Sequence, residues 1–174
     1  TLIPLSLNAQ QLRQEAMNSA SKLSIQGVQA KLSARLNVHK NCFDIVDQNG
    51  TFILKPASDT WPELPANEAV TMTLAQKFGL DTPIHGLIFD ASNEPVYFVK
   101  RFDRYGKGRK YAIEDFAQLT EKTRETKYNS STEKLVKVID TFTTFPKHQR
   151  IELFKRVLFC FCTGNEDMHL KNFS

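Results

Sequence analysis

The chain is poor in cysteine, glycine, proline and tryptophan, and it has no long apolar run. Its three cysteines, Cys42, Cys160 and Cys162, are too few for a disulfide framework, and none stands in a C-x-x-C pair. That argues against structural zinc and for a reducing cytoplasm. Seven Gly and seven Pro in 174 residues exclude a low-complexity or collagen-like chain. No apolar stretch approaches the roughly 20 residues of a membrane-spanning helix, so no membrane partner is expected. The N-terminus lacks the basic-then-apolar pattern of a signal peptide. The expected location is the cytoplasm, that of the producing cell or of a cell to which the protein is delivered. An excess of one charge is also missing: 23 basic residues against 19 acidic ones leave a net +4. With no Lys/Arg block and no aromatic ladder, direct nucleic-acid binding is not expected. What remains is 41% hydrophobic and 24% charged residues, the mix of a globular domain able to bury a core.

Residues 8–20 are good helix formers, followed by a loop from Ser21 to Ala30. Strands are expected at 31–37, 42–46 and 51–55, the last two joined as a hairpin through Asn49-Gly50. Pro56, Pro62 and Pro65 make 56–66 an irregular loop. Asn67 is then read as the cap of a helix with Val70, Leu74 and Phe78 on one face and Gly79 at its end. Strands 84–89 and 96–101 turn through Asn93-Glu94-Pro95, and Arg104–Lys110 is a polar loop. A short helix follows at 114–119. Ser130-x-x-Glu133 reads as a capping box for a helix to about 143. Pro146 opens a last helix with an apolar stripe of Ile151, Phe154, Val157, Leu158 and Phe161, read as strongly buried, which Thr163-Gly164-Asn165 stops. A strand-rich part with one embedded helix thus precedes a helical part, as in two lobes with a cleft between them.

Several groups can carry chemistry. Asp167 and Asn172 are five apart in a polar loop after the last helix, the D-x-x-x-x-N spacing of a kinase catalytic loop. In that chemistry the carboxylate takes the hydroxyl proton and the amide oxygen holds Mg²⁺. A helix C-cap and surface loop would use the same residue types. Lys55 ends the apolar strand Phe52-Ile53-Leu54, where it could meet nucleotide phosphates or keep a sheet edge soluble. Glu68 could hold that lysine, or favour the helix dipole. The stretch Ser24-Ile25-Gln26-Gly27-Val28-Gln29-Ala30-Lys31 could offer backbone N–H groups to a phosphate or be a connecting turn; it is no Walker A loop. Phe98 to Arg104 would be a hinge, or a strand running out into a charged turn. His39, His85 and His148 have no partner at metal spacing, and Cys160 and Cys162 read as core.

The order of these segments is specific. The run S-I-Q-G-V-Q-x-K-L, F-I-L-K-P, P-E-L-P-x-N-E, Y-F-V-K-R-F-D-R, E-D-F-x-Q-L, K-Y and G-N-x-D-x-H-x-K-N-F-S resembles the HipA family of serine/threonine kinase toxins from about residue 21 to 174. The resemblance implies an α+β, protein-kinase-like fold: an N-lobe over 1–101 and the opening of a helical C-lobe over 102–174. It implies ATP and Mg²⁺ as cofactors. Gly27, Val28, Gln29 and Lys31 would cover the phosphates, and Ser24 would be an autophosphorylation site. Lys55 would bind the nucleotide, and Lys100, Arg101 and Phe102 would form the hinge against adenine. Gln118, His169 and Lys171 would line the nucleotide site, Asp167 would be catalytic, and Asn172 a metal ligand. Two departures stand out. The N-terminal subdomain of full-length HipA proteins is not in this sequence, as in the short HipT-type toxins, and Gln26 occupies the position of a second loop serine. The family's second metal-binding Asp would lie after Ser174, so the 174 residues are read as an incomplete portion of a longer kinase.

The expected function is therefore an ATP-dependent serine/threonine kinase, the toxin of a type II toxin–antitoxin system. The resemblance implies an aminoacyl-tRNA synthetase as substrate, a HipB-type DNA-binding antitoxin as partner, and a separate HipS-like small subunit. The alternatives are a non-catalytic, pseudokinase-like binding module, and a small-molecule kinase using the same residues.

Overall fold

A computed structural model describes residues 1–19, 29–106, 108–121 and 131–174. Ser24, Gly27, Val28 and Ser130, singled out above, lie outside the described residues. The chain divides into two compact units, Thr1–Gln76 with Asp81–Lys110, and Lys77–Leu80 with Tyr111–Ser174. No described helix is long and apolar enough to cross a membrane.

The first unit opens with α1 (Ala9–Ser19), entered through reciprocal bonds between Asn8 and Gln11: each backbone N–H donates to the other's side-chain oxygen, at 3.0 and 2.9 Å. Then come β1 (Leu32–Asn37), β2 (Cys42–Ile45), β3 (Phe52–Pro56), α2 (Leu64–Lys77), β4 (His85–Phe89) and β5 (Pro95–Lys100). The five strands form one antiparallel sheet in the order β2-β1-β3-β5-β4. Alternation along the strands gives the sheet two different faces. Leu32, Ala34, Phe52, Leu54 and Val96 bury one face under Leu12 and Ala16 of α1, with Phe43 and Ile88 completing the core. Lys31, Lys55 and Tyr97 occupy alternate positions and so take the other face.

All five strands lie within one residue of their expected bounds, but their pairing differs. β2 and β3 do not form the Asn49-Gly50 hairpin; each pairs with β1, which lies between them. The Asn-Gly pair serves a different close approach. Asn49 is left-handed at φ 57°, and a Cβ on Gly50 would overlap Ser33 Oγ and sit 3.0 Å from the Ala34 nitrogen. The connection thus passes against β1, and only a glycine fits. The polar loop after β5 also holds regular structure, the small hairpin β6 (Arg104–Tyr105) and β7 (Arg109–Lys110).

Helix starts and buried faces differ too. α2 begins at Leu64, with Pro65 in its first turn where a missing N–H costs nothing. Asn67 is inside the helix, its N–H donating to the Glu63 carbonyl, so it is not the cap. Val70, Leu74 and Phe78 remain 58%, 48% and 44% exposed, while the helix buries Pro65 and Ala75.

In the second unit, α3 (Phe116–Leu119) starts from a capping box of Asp115 and Gln118. α4 (Thr132–Phe142) has Ser131 in extended backbone at its N-cap position, with no side-chain capping hydrogen bond. α5 (Pro146–Thr163) buries Leu153 and Phe159, and Val157 packs against the α3–α4 core. The expected stripe of Ile151, Phe154, Leu158 and Phe161 is 57%, 66%, 40% and 82% exposed. Leu153 and Val157, four apart, meet the α3–α4 core, while Phe159 is covered from another side, its ring centroid 5.6 Å from that of Phe78. Cys162 is exposed, which corrects its reading as a core residue, while Cys160 is half-buried and its thiol pushed up by that burial. Gly164, left-handed at φ 65°, ends α5 and releases the chain into the loop before the 3₁₀ turn Leu170–Asn172.

Candidate active site

The charged face of the sheet carries the first cluster. Lys55 follows buried Leu54 on β3, so alternation turns it away from the core. Its Nζ donates to Glu68 Oε2 of α2 at 2.7 Å, and both side chains are about four-fifths buried, at 21% and 22% exposure. Lys31, just before β1, shares this environment. Burial and then the Lys55 charge hold its ammonium below the usual 10.5, with Glu68 opposing them. Tyr97 lies directly opposite Lys55 in the β3–β5 register, its ring centroid 5.5 Å from Lys55 Nζ. Burial and the Glu68 charge push its phenol well above its ordinary value. The cluster therefore places a second ammonium, that of Lys31, near the Lys55–Glu68 pair, a basic character suited to phosphate. The Gln29 side-chain nitrogen is buried with no hydrogen-bond partner among the described residues, a donor that a ligand could use.

The expected hinge follows β5. The Lys100 N–H donates to the Ile84 carbonyl at 2.7 Å and the Arg101 N–H to Thr51 at 2.9 Å. The sheet thus uses both, whereas no described hydrogen bond takes the Phe102 N–H, and the Phe102 side chain is 67% exposed. Arg101 grips both oxygens of Asp103 at 2.9 and 2.7 Å, which holds that carboxyl below the usual carboxylate range.

The second cluster belongs to the second unit. After α5, Leu170 is buried in the α3–α4–α5 core, and the Phe116 N–H donates to the Phe173 carbonyl at 2.9 Å. The loop is pegged from within while Asp167 stays 68% exposed. Asn172 Nδ2 donates to the Asp167 carbonyl oxygen at 2.6 Å and to Asp167 Oδ2 at 3.0 Å. Asp167 Oδ1 lies 3.2 Å from Nε2 of buried His169. Since Asn172 spends its nitrogen on Asp167, its amide oxygen is left to accept or to ligate. Lys171 is half-buried in the same turn. Gln118 accepts the Asp115 N–H at 2.8 Å through its side-chain oxygen, so it completes the α3 cap.

The structure thus gathers Lys31, Lys55 and Glu68 in one unit, and Asp167, His169 and Asn172 in the other. No group of three or more His, Cys, Asp or Glu able to hold a metal occurs among the described residues. One carboxylate and one amide oxygen are hard donors of the kind Mg²⁺ takes when substrate phosphates complete its shell. The residues fit that ion. Sequence reading included Tyr97 and Asp103 in the motif before and through the hinge but gave neither a role of its own. Only the β3–β5 register could have placed Tyr97 against Lys55.

A five-stranded antiparallel sheet with a Lys–Glu pair between strand and helix, followed by a helical unit ending in an Asp/Asn loop, defines an α+β, protein-kinase-like fold. The chain is similar to a solved chain of the Shewanella oneidensis MR-1 toxin–antitoxin complex of HipA, HipB and operator DNA, with a TM-score of 0.72 at 22% identity, over 99% of this chain and 47% of that one. The HipA-like C-terminal domain model matches residues 23–174, and the chain belongs to that family. A Haemophilus influenzae protein named "Putative kinase" is 33% identical over 165 residues, covering 87% of this chain and 47% of the relative. "Putative kinase Y4dM" of Sinorhizobium fredii is 34% identical over 175 residues, covering 92% and 42%. The chain thus spans about half the length of the curated relatives it matches.

Proposed function

We propose that the chain belongs to an ATP-dependent serine/threonine protein kinase, the toxin of a type II toxin–antitoxin system. The observation that carries this reading is the 2.7 Å Lys55–Glu68 pair in a HipA-like chain. Such a pair steers a strand lysine onto nucleotide phosphates. Lys55 and Lys31 bind the phosphates, Gln29 adds a donor, and the Phe102 N–H meets the adenine edge. Arg101, Lys100, Gln118, His169 and Lys171 complete the proposed nucleotide contacts. Asp167 accepts the proton of the attacking serine or threonine hydroxyl. The new O–P bond forms at the γ-phosphorus as the bond to ADP breaks. Asn172 holds Mg²⁺, which when bound neutralises phosphate charge. His169 and Asn172 fix the Asp167 carboxylate from two sides.

The finer assignments rest on the family. They are a translation protein such as an aminoacyl-tRNA synthetase as acceptor, Ser24 as an autophosphorylation site, and a HipB-type antitoxin with a HipS-like subunit as partners. The cytoplasm is the proposed location.

The test is transfer of radiolabel from [γ-³²P]ATP to protein by the full-length protein with Mg²⁺, compared with Asp167→Asn. Loss of about 10²- to 10⁴-fold in transfer with ATP binding kept within twofold is expected of a general base. Activity within twofold of wild type would remove Asp167 from the mechanism. Label found only in a small molecule would replace the protein acceptor.

A further inference from the structure

The sheet face that carries Lys31 and Lys55 continues along β1 to Arg35, four residues or roughly 13 Å further on. At that end is a depression of about 410 Å³, lined by Arg35, Asn49 and Thr51 and, from the β6–β7 hairpin, by Arg104, Gly106 and Arg109. Three guanidinium groups line it, and no carboxylate does among the described residues. The carboxylate next in sequence, Asp103, has both oxygens taken by Arg101. Its closest approach to Arg104 Nε is 3.6 Å, too long for a hydrogen bond. That Nε is buried and has no hydrogen-bond partner among the described residues. Arg35 Nη2 donates to the Asn49 carbonyl at 3.3 Å, and its cross-strand neighbour on β2 is Asp44, with no ion pair between them among the described residues.

Arg109 is oriented by a ring contact, with no carboxylate partner among the described residues. Its guanidinium lies 4.9 Å from the ring centroid of Tyr105, its cross-strand partner. A Cβ on Gly106 would come within 3.0 Å of Arg109 Nη2, so the glycine lets the guanidinium close on the turn. An oriented, ring-stacked arginine loses little freedom when it binds an anion.

We infer that this depression binds a phosphomonoester dianion. A single carboxylate would answer one guanidinium and leave two cations facing each other. A phosphate offers three oxygens and up to two charges to planar donor forks, with the Thr51 hydroxyl and Asn49 amide at hand. The site is separate from the Lys55–Glu68 cluster and does not depend on the kinase reading.

The experiment is calorimetric titration of the full-length protein at fixed ionic strength with three probes: inorganic phosphate, O-phosphoserine and sulfate. Wild type is expected to bind O-phosphoserine saturably and at least as tightly as phosphate. Arg35→Gln and Arg104→Gln are expected to weaken it at least tenfold, and Lys55→Met less than twofold. Arg109→Gln, at an exposed position, supplies the same comparison should circular dichroism show that Arg104→Gln fails to fold. Three results would each overturn the inference: tenfold loss in Lys55→Met with the arginine variants unchanged; phosphate bound but O-phosphoserine not; or all three probes bound alike and indifferent to every arginine change.

Discussion

Glu68→Gln keeps the shape of the Lys55 partner and a hydrogen-bond acceptor but removes the carboxylate paired with Lys55. At the observed 2.7 Å the gross attraction is about 6 kcal/mol at an effective dielectric of about 20. Desolvation offsets most of it. Exposed pairs contribute about 0.2–1 kcal/mol net, whereas removing one partner of a fully buried pair costs about 3–5 kcal/mol. With the two side chains only 21% and 22% exposed, a loss of about 2 kcal/mol is expected. In a domain of this size that lowers Tm by about 4–8 °C. Lys31 supplies a second readout. Its ammonium already sits below 10.5, and Glu68 is the group that raises it, so Glu68→Gln must lower it further. A lysine whose folded pKa lies below its unfolded one binds fewer protons in the native state. Stability therefore rises with pH from the folded value up to about 10.5, and that rise starts earlier and is larger in the variant. Urea unfolding from pH 7 to 10.5, with NMR titration of the Lys31 side chain, measures both effects. A stability change under about 0.5 kcal/mol together with an unchanged Lys31 titration would refute the reasoning.

Tyr97 works in the opposite sense: its folded pKa lies above the ordinary 10.0, so the native state keeps a proton that the unfolded chain loses, and stability falls as pH rises through 10. Tyr97→Phe should abolish that alkaline loss, and an unchanged pH profile in urea unfolding would contradict it. Gly50→Ala should cost about 1–3 kcal/mol by crowding Ser33 Oγ and the Ala34 backbone. Ser33→Ala in the same chain should return part of that, and denaturant midpoints of the two variants decide it. Leu170→Ala, at a position 2% exposed in the second core, should cost about 2–5 kcal/mol and loosen the loop holding Asp167. Thermal unfolding gives the first quantity, and proteolysis between Gly164 and Asn172 gives the second.

Strands were the most legible elements, because alternation and β-branched or aromatic residues mark them locally. Their neighbours were not. Asn49-Gly50 suits a type I′ hairpin, and nothing in residues 42–55 reveals that β1 lies between the flanking strands. The helix starts slipped for a similar reason. Asn67 is a good capping residue, but Leu64 and Pro65 already satisfy the first turn, and the local signal cannot rank the two. Apolar stripes were visible on α2 and α5, yet periodicity says only that a face exists. Which stripe a core uses depends on the neighbour that meets it, and on α5 Leu153 and Val157 meet α4 while Ile151, Phe154 and Leu158 do not.

The candidate site was legible in another way. Asp167 and Asn172 share one loop, so their spacing alone brings them within reach, and the 3.0 Å bond between their side chains needs only a 3₁₀ turn. Lys55 and Glu68 required the order of segments, since each has an adequate local role by itself. What no reading of single segments supplies is the charge arithmetic of the sheet face. Leu32↔Leu54 and Lys55↔Tyr97 are the registers that set Lys31 beside Lys55 and Tyr97 over it. Both shifted groups then express one condition. Burial comes first in each: it lowers Lys31, with the Lys55 charge adding to it, and it raises Tyr97, with the Glu68 charge adding to it. A phosphate chain that reaches Lys31 adds negative charge beside it and raises its pKa again, so ligand binding at this cluster takes up protons above the lowered Lys31 pKa. Affinity must then fall with pH before the ordinary lysine range is reached, and it falls because β1 and β3 are neighbours.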